Sequence, residues 1–398
     1  MRIVHLTVDW HPTGGVSSYI RLVAPAQAAA GHQVLVVHAG EPRDDDARLA
    51  ADGVTVLAFP GALRAAGADE TRHVPAVLDA VRAFAPDLAH FHASNNFSVE
   101  DAVRARVPTL KTLHALAFCP TGTKYHAATG QACTFRTGVM CVPRQAYLRC
   151  TSSRRPAAWW NNYTRTVRAN AHHKSFGQLV VTSQYVRRQA MANGFDGDRI
   201  AVVPYFTSLP AEVPPVAGRD VLYIGRIARE KGADLVLEAM ALVPGTWRVV
   251  IVGDGIDMAY LHTRADALGM RDRVTFKGWM TGAALDDAYR RAAVVVVPSR
   301  LPEPFGITGI ESMAWQRPVV AFGVGGIPEW LENGTGGFHV AAGDVPGMAA
   351  RIHELLDDPA QAAAVAARGR ARVAREFTAA PHLRQLWPLY ERVMAHGA

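Results

Sequence analysis

Pro298-Ser299-Arg300-Leu301-Pro302-Glu303-Pro304-Phe305-Gly306-Ile307-Thr308-Gly309-Ile310-Glu311 is the stretch around which the chain is organised. The apolar run Val294–Val297 before it reads as a buried parallel strand, and Phe305–Trp315 reads as a helix. Glu303 and Glu311, with seven residues between them, therefore bracket a strand-to-helix turn. In an open α/β sheet, ligands bind in the crevice at the carboxyl ends of the strands. A helix N-terminus there also offers unpaired N–H groups to an oxygen-rich ligand.

The same grammar extends outward in both directions. Asp220–Ile224, Trp247–Val252, Val274–Phe276, Val319–Phe322 and Phe338–Val340 read as strands, each followed by helical sequence. Upstream, Arg2–Val8, Gln33–His38, Val54–Phe59, Asp87–Phe91, Val107–Leu113, Leu179–Thr182 and Ile200–Pro204 repeat the pattern. Strand alternating with helix predicts an α/β chain of doubly wound parallel sheets. At 398 residues one core is too small, so two domains are expected. The proline-rich segment Pro204–Gly218 reads as their linker. This predicts one domain over 1–210, a second over 218–378, and a terminal helix, 379–398, that packs back across the junction. Segment 115–155 fits no regular element, and Pro156–Lys174 reads as a helix, more simply packed than interfacial.

Charge and cysteine are both local. Between Ala102 and Phe195 there are fourteen Lys and Arg and no Asp or Glu, so the net +7 belongs to this region. Compositional drift explains that as well as a surface for an anionic acceptor or an anionic membrane does. No recognition module accompanies the charge, and nucleic acid is not expected as a partner. Cys119, Cys133, Cys141 and Cys150 all fall in the insert. A structural four-thiolate zinc site, four separate buried thiols and two disulfides are the open readings, and disulfides suit a reducing compartment least. His5, Asp9 and His11 interrupt what a signal peptide would keep apolar, and no apolar run reaches the roughly 18 residues that span a bilayer. A cytoplasmic location is expected, soluble or peripheral on the inner face of the membrane.

The second half carries the chemistry. Arg226 and Lys231 follow a strand in the loop Gly225–Gly232; a guanidinium fork and an ammonium together suit a diphosphate. Glu311 can accept from ribose hydroxyls and Glu303 from hydroxyls of a sugar. Ribose, diphosphate and sugar make a nucleotide sugar. In the first half, Gly14-Gly15 at the mouth of a helix either makes a simple turn or lets a phosphate approach the backbone. His114 ends a strand on the rim of the same crevice, where a lone histidine is more often structural than catalytic.

Glu303-Pro304-Phe305-Gly306 with Glu311 resembles the E-x7-E motif of retaining glycosyltransferases of family 4, and Gly225-Arg226 with Glu230-Lys231-Gly232 resembles their G-R-x-x-x-E-K-G. Gly253-Asp254-Gly255, Gly325–Glu329 and Asn333–Gly337 follow in the family's order. The resemblance implies a GT-B fold, two Rossmann-like domains facing a central cleft. It implies that Arg226 and Lys231 neutralise the leaving diphosphate, that Glu311 holds the ribose and Glu303 the sugar, and that the backbone of Phe305, Gly306 and Ile307 orients that sugar. Gly225, Gly253 and Asp254 line the donor site; Gly14 and Gly15 reach it from the other domain, and His114 sits beside the sugar. It further implies transfer of a hexosyl group from a UDP-sugar, with GDP-mannose second, to a hydroxyl acceptor in glycan, lipid-linked or natural-product biosynthesis, with no catalytic metal or organic cofactor; the basic region would suit an anionic acceptor. No D-x-D pair lies in the cleft motifs, in keeping with the lack of a catalytic metal.

Two departures concern the acceptor side. Ala115 stands where the family often has an acid, and Pro204-Tyr205-Phe206 where it usually has P-N-G. A GT-B epimerase or a non-catalytic nucleotide-sugar sensor is the alternative; a pyridoxal-phosphate phosphorylase is disfavoured because none of the five lysines has a cofactor setting.

Overall fold

The computed structural model describes residues 1–8, 10–11, 15–43, 46–64, 71–215 and 220–396. Two seven-stranded parallel sheets carry the chain. From edge to edge the first is Val54–Ala58, Gln33–His38, Arg2–Thr7, Leu88–His92, Thr109–Leu113, Leu179–Val181 and Ile200–Val202. The second is Val274–Phe276, Arg248–Val252, Asp220–Ile224, Ala292–Val297, Val319–Phe322, Gly336–Val340 and the two-residue strand Glu332–Asn333. In each sheet the order reverses beside the first strand, between Arg2–Thr7 and Leu88–His92 and between Asp220–Ile224 and Ala292–Val297. Such a switch point opens a crevice at the strands' carboxyl ends. All six residues of Ala292–Val297 are buried, as a strand covered on both faces requires.

The helix after Ala292–Val297 is Ile307–Ala314, shorter than the sequence predicts. Gly306 sits at φ +93°, outside the right-handed helical region, so the chain turns there and Phe305 stays in the loop. Trp330 is fully buried beneath that loop and donates its indole N–H to Phe305 O at 2.6 Å. Removing such a ring from a packed core costs about 3–5 kcal/mol, so the loop's shape is firmly held.

The insert is more ordered than its composition suggests. Tyr125–His126 pairs antiparallel with Gln131–Ala132, and Cys141–Tyr147 is a helix packed on Pro156–Lys174. Elements of two and seven residues are too short for periodicity to reveal. Pro156–Lys174 is the predicted helix, but only Thr166, Asn170 and His173 are buried, so it shows most of its circumference to solvent. The sequence reading also passes over the helix Phe97–Arg104, capped by the Asn96 side chain, which accepts from Val99 N. From it Glu100 meets Lys111 Nζ at 2.8 and 2.9 Å, both side chains buried. Lys111 is thus a structural ion-pair partner.

The last helix, Ala379–His396, returns to the first sheet as predicted. Its His382 Nδ1 donates to Pro204 O at 2.8 Å, and its Tyr390 hydroxyl lies 2.8 Å from His90 Nδ1. Among the described residues no helix is long and apolar enough to cross a membrane.

Candidate active site

The two loops at the switch point of the second sheet are locked together by backbone. Arg300 N and Leu301 N donate to Glu230 O at 2.9 and 3.2 Å. Gly232, at φ +76°, lies so close to Pro298 that a Cβ there would sit 2.1 Å from the Pro298 carbonyl oxygen. Arg300 grips both Asp234 carboxylate oxygens at 2.6 and 2.9 Å. Neither Arg300 nor Asp234 stands out in the sequence; their role is to set the distance between the two loops.

That distance brings Lys231 Nζ to 2.7 Å from Glu303 Oε1. The Ser299 hydroxyl donates to the same oxygen. An ammonium has three N–H donors, so Lys231 keeps two for a ligand. Glu303 keeps Oε2. Arg226 stands at the rim, largely exposed, 3.2 Å from Glu230 Oε1. An exposed pair of this kind is worth only about 0.2–1 kcal/mol, so a phosphate can take the guanidinium from it. Glu311 is half-buried in the second helical turn and accepts from the Tyr289 hydroxyl at 3.2 Å. Burial raises its pKa, and the Tyr289 hydrogen bond lowers it less. Gly225 N donates to Val252 O, and Ile227 N to Asp254 O, so Gly225, Gly253 and the exposed Asp254 form the adjoining wall.

The first domain meets these loops directly. The Ser183 hydroxyl donates to Pro304 O at 2.6 Å. Glu329 lays its two carboxylate oxygens on Gln184 N and Tyr185 N, both at 2.7 Å. Those amides are the unpaired first donors of the helix Gln184–Ala192, where a carboxylate is also favoured by the helix dipole. Tyr205 of the hinge meets Phe305 edge-on, ring centroids 5.6 Å apart. Gly15 begins the helix Gly15–Ala29 and is exposed; Gly14 lies outside the described residues. His114 is buried, with Nδ1 2.5 Å from the Tyr205 hydroxyl and Nε2 2.9 Å from His92 Nδ1. Its ring nitrogens are therefore both engaged, which the sequence alone does not reveal.

The four cysteines converge although they come from separate turns and helices. Cys119, Cys133, Cys141 and Cys150 line one cavity of about 20 Å³ together with Lys124 and Arg144. All four are free thiols, and no three of their sulfurs come within 4.8 Å of one another. Burial and the three other cysteines push the Cys150 thiol up to about 11.

Comparison with known proteins follows the same two halves. Residues 13–209 match the family model Glycosyltransferase Family 4, and residues 210–372 match Glycosyl transferases group 1. The chain is 41% identical over 142 residues to alpha-D-kanosaminyltransferase of Streptomyces kanamyceticus, covering 35% of this chain and 36% of that protein. It is 37% identical over 236 residues to D-inositol 3-phosphate glycosyltransferase of Mycolicibacterium smegmatis, covering 55% of this chain and 53% of that protein. The matched stretches thus span about a third to about half of these curated relatives. The fold is shared with Anabaena HepE, solved with UDP and glucose: TM-score 0.76, 20% identity, 98% of this chain and 100% of that one. It is also shared with sucrose-phosphate synthase of Thermosynechococcus elongatus: TM-score 0.74, 24% identity, 99% of each chain.

Proposed function

Since this chain belongs to the family 4 glycosyltransferases, with the two-domain GT-B fold, we propose that it is a retaining enzyme moving a hexosyl group from a UDP-sugar to a hydroxyl acceptor. The observation that carries the reading is the Lys231–Glu303 contact at 2.7 Å in the switch-point crevice. It sets a cation for the diphosphate directly beside a carboxylate for the sugar. The sugar's bond to the diphosphate oxygen breaks, a bond to the acceptor oxygen forms on the same face, and the acceptor's proton passes to the leaving phosphate. Lys231 and Arg226 stabilise the charge that grows on the diphosphate, the work a magnesium ion does elsewhere. Glu311 takes the ribose through the oxygen that Tyr289 leaves free. UDP is favoured because HepE was solved with UDP and with UDP-glucose. The test is a panel of UDP- and GDP-sugars with acceptor extracts, read by release of free nucleoside diphosphate. Release with a UDP-sugar is expected; binding of UDP without turnover of any donor would make the chain a sensor instead.

The acceptor side is proposed to work at an anionic membrane surface on the cytoplasmic face. Tyr147 and Trp160 are exposed on the packed helices Cys141–Tyr147 and Pro156–Lys174, beside Arg149, Arg154, Arg155 and Arg165. Association with phosphatidylglycerol vesicles should fall sharply between about 0.1 M and 1 M salt as screening shortens from roughly 10 to 3 Å. Association that ignores salt removes this role.

The four cysteines are proposed as ligands of a structural zinc ion. Four thiolates in one small cavity repel unless a cation sits among them, and Lys124 and Arg144 offset the remaining negative charge. The sulfurs must draw inward to reach zinc, at about 2.3 Å each. Protein purified without added metal should carry about one zinc, lost with thermal stability on chelation; under about 0.2 equivalents ends the proposal.

A further inference from the structure

A row of buried histidines in the first domain has every ring nitrogen taken. His5 Nε2 lies 2.7 Å from Gln27 Oε1, and His5 Nδ1 lies 2.9 Å from His92 Nε2. His92 Nδ1 meets His114 Nε2 at 2.9 Å, and His114 Nδ1 meets the Tyr205 hydroxyl at 2.5 Å. On the other side of the amide, Gln27 Nε2 donates to the Tyr390 hydroxyl at 3.1 Å. That hydroxyl is 2.8 Å from His90 Nδ1, and His90 Nε2 is 2.7 Å from Thr112 Oγ1.

A neutral imidazole donates at one nitrogen and accepts at the other. Gln27 Oε1 only accepts, so His5 donates at Nε2 and accepts at Nδ1. His92 must then donate at Nε2 and accept at Nδ1, and His114 must do the same. Tyr205 is left to donate its hydroxyl hydrogen to His114. Past the amide, the Tyr390 hydroxyl accepts from the Gln27 N–H and keeps its own hydrogen to donate to His90 Nδ1, which lets His90 donate to Thr112. One side-chain amide thus fixes three tautomers and the Tyr205 hydroxyl, and reversing it would reverse every proton from His5 to Tyr205. An added proton would set two donors face to face. Burial opposes it as well, holding His5 down at about 4, His114 at about 3, and His90 and His92 well below the ordinary histidine value.

His5, His90 and His92 have ligating atoms within 4.8 Å of one another, the spacing of a metal site. All six of their nitrogens already have partners, which leaves no lone pair for a metal. The row reaches the surface at one end only: His5, His90 and His92 are 0% exposed, whereas His114 and Tyr205 keep 8% and 7%. That end faces Phe305 of the donor loop.

We propose that Gln27, His5, His92 and His114 are positioning residues that hold the Tyr205 hydroxyl hydrogen inward, so that the Tyr205 oxygen meets the donor sugar as an acceptor only. This rests on the nucleotide-sugar reading above. Aligned N–H groups polarise one another, and their negative end is the Tyr205 oxygen, beside the place where positive charge grows on the sugar. His114 therefore acts through Tyr205 and not by touching the sugar. Tyr205 occupies the middle position of Pro204-Tyr205-Phe206, in the segment that joins the two sheets.

The full chain labelled with 15N-histidine should show His5, His90, His92 and His114 protonated at Nε2 alone at neutral pH. A proton on Nδ1 of His92 or His114, or a metal-shifted ring, overturns the row. Gln27→Leu should mix the His92 and His114 tautomers, and Gln27→Glu, which restores an acceptor, should return His5 to Nε2–H; if Gln27→Leu does not fold, the wild-type spectrum decides. Tyr205→Phe should lower kcat roughly ten- to hundredfold while UDP affinity by calorimetry holds within about twofold. Unchanged kcat in Tyr205→Phe, with the tautomers as expected, overturns the role of Tyr205 alone. A wild-type chain that binds neither UDP nor GDP overturns the nucleotide-sugar reading and that role with it, while the spectrum still decides the row.

Discussion

Lys231→Ala should lower transfer roughly 10²–10³-fold, with the loss chiefly in kcat. On the proposed reading, Lys231 is the cation in contact with Glu303, the carboxylate proposed to hold the sugar, and two of its three N–H donors remain for the diphosphate. Its contribution grows as charge moves onto the leaving group, so it favours the transition state over the bound donor. Glu303→Ala should lose a comparable factor. Each loss corresponds to about 3–4 kcal/mol. Because the two residues share a contact, the double variant should lose clearly less than the product of the single losses. Steady-state rates with the donor found by nucleoside diphosphate release, beside melting curves that show each variant folded, provide the check. Full turnover in both single variants would remove Lys231 and Glu303 from the site.

Acid should unfold the first domain between about pH 6 and 5, ahead of the second. His5, His90, His92, His114 and His173, with His382 of the docked terminal helix, are all buried with pKa values below the ordinary one, burial being the first cause each time. Further lowering comes from neighbouring charge: the other rings and Lys111 act on His92, and Lys111 and His172 on His173, where Glu100 opposes them. Unfolding releases these rings to titrate near 6.5, so the unfolded chain binds more protons and stability falls as pH falls below that value. At about 1.4 kcal/mol per pH unit for each group, these six rings cost about 8 kcal/mol per unit. A typical domain has only about 5–15 kcal/mol to lose. Glu100 does not confuse the result. Burial would raise it, but Lys111 and His172 hold it at about 2. Its contribution is present above the unfolded value of 4.5 and is lost only as pH falls from there through about 2. Urea midpoints measured from pH 7.5 to 5 should show the steep fall; a flat profile over that range would mean the rings are not buried neutral.

The candidate donor site was legible because its residues are close in sequence and their spacing is chemical. Seven residues between two acids, or four between Arg226 and Lys231, translate directly into one turn and one loop. What remained hidden depends on register and return paths. Arg300 and Asp234 look like ordinary surface charges until two loops are superposed. His5 lies within one strand, His92 ends a second and His114 follows a third, and each alone looks structural; only the pairing of Thr7 with His92 and of His92 with Thr112 brings their rings into line. Gln27 sits on a helix, and its partner Tyr390 comes 363 residues later. The strands of both sheets were readable from their apolar runs, except the two-residue edge strand Glu332–Asn333. The insert was not, because its two-residue strands and seven-residue helix lie below any period and its order comes from side chains that converge.

The returning terminal helix also dictates a sequence of events during synthesis. His90 waits 300 residues for Tyr390, and Tyr19 waits 363 for His382. At about 5–20 residues per second, the first of those intervals lasts roughly 15–60 s on the ribosome. For that time the first domain holds Gln27 and His90 with polar atoms unmatched and the seat of Leu386 and Leu389 open to solvent. The nascent domain is then a client for chaperones, and its final packing becomes a check that the last helix has been made.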